Sequence, residues 1–113
     1  MTSKFEKALK IGSDLLSYCH HKGATDYELD IKETPDSVSL VITAVHVDLT
    51  YENLERLETL LHAPRQRDVE QDYWVLMGSS EDFCELTLVG MLCDEAVIEY
   101  KDMVLKITLK RHD

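Results

Sequence analysis

The residue types in this chain that could do chemistry are few and scattered. His46 and Asp48 stand close together in Ala44-Val45-His46-Val47-Asp48, where a carboxylate could orient an imidazole as a general base. No serine or cysteine nucleophile is set beside them by the sequence, so His46 reads as a loop histidine. Cys19-His20-His21, with the distant Cys84 and Cys93, offers metal-ligand types. Neither distal cysteine belongs to a Cys-x-x-Cys pair, and adjacent histidines on a helix point in different directions. Buried thiols and surface imidazoles with no metal are the expectation. Tyr73-Trp74 has the chemistry of an interface anchor, or of an inward tyrosine beside a tryptophan covering a helix flank.

The whole-chain numbers narrow the classes of function. With 113 residues there is room for one hydrophobic core, and residues 1–113 read as one domain. Lys and Arg number 12 against 22 Asp and Glu, a formal net charge of -10, which repels a phosphate backbone and argues against nucleic acid. A basic protein partner suits that charge. No apolar run is long enough to span a membrane, and Met1-Thr2-Ser3-Lys4-Phe5-Glu6-Lys7 lacks the apolar stretch of a signal peptide. The cytoplasm is the expected compartment, and three cysteines cannot all pair within one chain.

Periodicity supplies the elements that must position any site. Phe5, Ala8, Leu9, Gly12, Leu15, Leu16 and Cys19 repeat at helical steps over residues 3–22, with Ser3 and Glu6 at capping-box spacing and Gly23 as the stop. Alternation then predicts a strand over Asp26–Glu33, a turn at Thr34-Pro35-Asp36-Ser37, and a second strand through Val38, Leu40, Ile42 and Ala44. Thr50 is placed to cap a helix near Tyr51–His62, with Leu54, Leu57 and Leu61 inward and Pro64 beyond its end. Two further helices are expected over residues 66–77 and 81–93, although Leu86, Leu88 and Val89 also suit a strand. A last hairpin joins Ala96–Tyr100 to Met103–Leu109 through Lys101-Asp102. The expected fold is α+β: one mixed or antiparallel four-stranded sheet, covered on one face by three to four helices as a two-layer sandwich.

This order resembles the histidine-kinase-like ATPase superfamily of sensor histidine kinases, gyrase and the anti-sigma serine kinases, over roughly residues 8–110. Asp14 to Thr25, ending in Gly23-Ala24-Thr25, resembles the first helix of those proteins and its exit. Asp48 to Leu57 resembles the short helix after the first glycine box. Leu86 to Leu109, centred on Cys93-Asp94-Glu95-Ala96-Val97, resembles the terminal helix and hairpin of the anti-sigma kinases.

The departures from that pattern bear most on function. The resemblance implies that the asparagine holding a nucleotide-bound magnesium ion is replaced by Tyr18, with Asp14 as the acidic position before it. The aspartate that reads the adenine amino group falls on Ala44, and the first glycine of that motif on His46. A methyl group cannot accept the adenine hydrogen bond. The glycines of the phosphate loop fall on Phe83 and Glu85, one bulky and one of the wrong charge. Asp14, Tyr18, Ala44, His46, Phe83 and Glu85 would then line a vestigial nucleotide pocket with no catalytic residue, no metal and no cofactor. The implied function is a non-catalytic regulatory or protein-binding module of bacterial, anti-sigma-like character, for which relatives of that kind suggest a homodimer. An active ATP-binding serine kinase and a small-molecule binder using the vestigial pocket are the alternatives.

Overall fold

The computed structural model describes residues 3–62 and 93–112. Helix α1 (Lys4–His21) starts at the expected cap: the Glu6 N–H donates to Ser3 Oγ at 3.1 Å, and the Ser3 N–H donates to the Glu6 carboxylate at 3.5 Å. It stops at Gly23, whose φ of 96° suits a residue without Cβ and whose N–H donates to the His20 carbonyl at 3.1 Å.

Strands β1 (Asp26–Glu33) and β2 (Ser37–Val45) form the expected antiparallel hairpin around Pro35-Asp36, with Leu29 opposite Ile42 and Ile31 opposite Leu40. Helix α2 (Tyr51–Leu61) is capped by Thr50, whose Oγ1 accepts from the Asn53 N–H at 3.0 Å while Asn53 Oδ1 accepts from the Thr50 N–H at 3.2 Å. Strands β3 (Glu95–Lys101) and β4 (Val104–His112) form the second hairpin. Its turn is Asp102-Met103, one residue later than the sequence suggests. Both residues have positive φ, 51° and 63°, as a two-residue turn matched to the right-handed strand twist requires. β4 also runs past Leu109 to His112, because β2 offers it partners as far as Ser37.

The sheet order is β1-β2-β4-β3, antiparallel throughout, with β2 and β4 central. Val38, Leu40, Ile42 and Ala44 on β2 and Leu105, Ile107 and Leu109 on β4 are buried on one face. Ala8, Ile11, Leu15 and Cys19 of α1 and Leu57 and Leu61 of α2 share that core. Each Val, Leu or Ile side chain among these contributes about 1.5–3 kcal/mol by leaving water. The described residues thus form an α+β arrangement of a four-stranded antiparallel sheet and two helices. The helices expected over 66–77 and 81–93 lie outside the described residues, except that Cys93 is described and is not helical. Among the described residues no helix is long and apolar enough to cross a membrane.

Candidate functional site

The backbone of the loop between β2 and α2, residues 46–50, is bound down residue by residue. His46 leaves β2 in the left-handed region, φ 67°. The Val47 N–H then donates to the Met103 carbonyl at 2.9 Å, and the Asp48 N–H to the Lys22 carbonyl at 2.9 Å. The Leu49 N–H donates to the Tyr100 hydroxyl at 3.2 Å, which itself donates to the Val47 carbonyl at 2.7 Å. The Thr50 N–H is taken by Asn53 in the cap of α2. Four consecutive amides are therefore committed to acceptors from α1, the β3–β4 turn, β3 and α2. A phosphate-binding loop works by leaving such amides directed at the ligand.

Of the expected pocket residues, Asp14 is buried on α1 at 4% exposure, with Lys10 Nζ 3.3 Å from its carboxylate. Tyr18, one turn on, stands half-buried in a cleft of about 260 Å³ between α1 and α2, lined also by Lys22, Asn53, Arg56, Leu57 and Leu60. Lys22 Nζ lies 5.8 Å from the centroid of its ring. Ala44 is fully buried in the sheet core, opposite Tyr27 on β1 and Leu105 on β4. His46 is exposed at the end of β2. Of these four, only Tyr18 lines the cleft. Phe83 and Glu85 lie outside the described residues, as do Cys84, Tyr73 and Trp74.

His46 is held by Thr25, where the sequence suggested Asp48. Its Nδ1 lies 2.6 Å from Thr25 Oγ1, which also reaches Asp26 Oδ2 at 3.1 Å. One hydroxyl proton serves one acceptor, so a Thr25 that donates to Asp26 receives the proton of His46 Nδ1. A parallel arrangement sits nearby: the Tyr27 hydroxyl donates to the Ala24 carbonyl at 2.8 Å and accepts from His20 Nδ1 at 2.9 Å. The signal for Thr25 was present, since counting back equally from Pro35-Asp36 sets it across from His46.

Among the described residues no three His, Cys, Asp or Glu side chains are grouped to hold a metal ion. Cys19 and Cys93 are buried in the apolar core. Two structural side chains were missed by ending the last strand at Leu109 and treating Tyr100 as ordinary. Arg111 continues the inward row of Leu105, Ile107 and Leu109, is 1% exposed and stands opposite Val38. Tyr100 is the bridge just described. The unbroken alternation along β4 could have revealed the first; nothing in the sequence announces the second. No protein-family model matches the chain, and no curated protein matches it.

Proposed function

We propose that this chain is a non-catalytic, protein-binding regulatory module on a two-layer, histidine-kinase-like ATPase scaffold, and that it does not take a nucleotide. The observation that carries this reading is Ala44, which stands where the resemblance puts the adenine-reading aspartate and is fully buried in the sheet core. A fully buried methyl group offers nothing to an adenine ring. Next to it is a run of committed amides from Val47 to Thr50. A ligand could reach those amides only by displacing bonds that are each worth about 0.5–1.5 kcal/mol. The phosphate-loop positions of the resemblance, Phe83 and Glu85, lie outside the described residues. The net charge of -10 opposes a triphosphate at long range and favours a basic protein.

The test is a thermal-shift titration of the full chain with magnesium and ATP. The expected result is a flat response up to millimolar nucleotide. A saturable rise in Tm, following the mass-action form for a ligand that binds only the native state, would sink this reading and favour the serine-kinase alternative.

A further inference from the structure

The two edges of the sheet are finished differently. On β3, His62 at the end of α2 reaches the Ala96 carbonyl through Nε2 at 2.7 Å while its Nδ1 meets the Glu58 carbonyl at 2.8 Å, so that edge is partly closed by a side chain. On β1 no hydrogen bond from any described residue meets the backbone groups turned away from β2. Those groups are open to another strand.

The surroundings of β1 specify what strand it would be. Gly12 of α1 lies directly against Leu29; a Cβ there would come within 2.9 Å of Leu29 Cδ1. Phe5 and Leu9 lie on this same flank of the helix by their spacing from Gly12, and they are 46% and 44% exposed. They make an apolar ledge on the helix side of the free edge, and Tyr27, 42% exposed, stands at the far end of the strand beside His20. On the opposite face, Asp26, Glu28 and Asp30 are exposed in one row with Lys32, a net acidic face. Glu28 and Asp30 stand opposite Thr43 and Val41 and have no ion-pair partner among the described residues.

We infer that the outer edge of β1 accepts an extended segment of a basic protein as a fifth strand. Alternate apolar side chains would lie under Phe5 and Leu9, and alternate Lys or Arg side chains beside Glu28 and Asp30. Main-chain bonds hold such a strand and the alternating pockets select it. A second copy of this chain is the competing occupant. Side chains must keep to their own faces, so the symmetric antiparallel registers that pair most of β1 are centred on Leu29 or on Asp30. The first sets Glu28 against Asp30 and the second sets Asp30 against itself. Lys32 on the same face meets Asp26 in the first and Glu28 in the second, so a sedimentation measurement decides against or for a second copy. This inference rests on the protein-binding reading above and names its surface.

Binding of a fluorescent peptide that alternates lysine and valine, followed by anisotropy with the full chain, tests it. The lysine peptide should bind saturably and more weakly as salt rises, whereas its glutamate counterpart and a fully N-methylated lysine peptide should not bind. The double variant E28K/D30K, altered only at exposed positions, should bind the lysine peptide about tenfold less tightly or worse and gain affinity for the glutamate peptide. Absence of lysine-peptide binding, equal binding of the N-methylated peptide, or an unchanged double variant would each overturn the assignment. So would a concentration-dependent dimer, seen by sedimentation, that is lost in Phe5→Glu. Failure of the peptide with a flat ATP response removes only the β1 assignment. A Tm rise with ATP while the peptide still binds removes only the exclusion of nucleotide.

Discussion

The hydroxyl of Tyr100 donates to the Val47 carbonyl across 2.7 Å and joins edge strand β3 to the loop that follows β2. The same oxygen accepts from Leu49 N–H, so one side chain serves both a donor and an acceptor of an otherwise irregular segment. Loops of this kind depend on side chains because no neighbouring strand pairs with them.

Tyr100→Phe therefore leaves a carbonyl and an amide without their partner while hardly changing the packing. The expected loss is about 1–3 kcal/mol, read as a lower midpoint in urea with an unchanged slope. A loss of less than about 0.5 kcal/mol would mean that water replaces the hydroxyl without penalty and that the loop is not held by this bridge.

Ala44→Asp places at that position the carboxylate that the family resemblance calls for. Because Ala44 is fully buried between Tyr27 and Leu105 in the sheet core, the substitution introduces a charge where none can be solvated. A destabilisation of about 3 kcal/mol or more is expected from equilibrium denaturation, with no gain of ATP affinity. A well-folded variant that binds ATP would show that position 44 faces a usable cavity.

Met103→Gly should act in the opposite direction. Met103 has φ 63° in the two-residue turn between β3 and β4, a conformation that costs an L-residue roughly 1–2 kcal/mol and glycine nothing. Glycine returns part of that gain through the greater freedom of its unfolded chain. The net expectation is a stabilisation of about 0.5–1 kcal/mol, visible as a Tm higher by a few degrees. The Val47–Met103 bond uses only backbone and should survive, so a lower Tm would mean that the methionine side chain packs usefully.

The local elements were written plainly in the chain. Ser3 with Glu6, Thr50, Gly23 and the strict alternation from Asp26 to Ala44 each fix structure through contacts between residues close in sequence, and each appears where its pattern places it. The second hairpin was legible as a hairpin but not to the residue. Lys101-Asp102 and Asp102-Met103 are both chemically possible turns that keep the apolar faces in phase, and the register of β3 on β4 uses the second.

The candidate site divides along the same line. Only the family resemblance brings Ala44 and His46 into a nucleotide site, and there a methyl group would accept no hydrogen bond whatever surrounds it. Which partner His46 takes, and where the amides of residues 47–49 go, depends on groups brought from Thr25, Lys22, Tyr100 and Met103. Those groups are distant in sequence and converge only when the two hairpins and α1 pack on one core. Periodicity reports which face of an element is apolar, and it says nothing of which backbone amide another element will satisfy. The open edge of β1 and the closed edge of β3 belong to that second kind of fact: both strands alternate in sequence, and only the sheet order makes them edges.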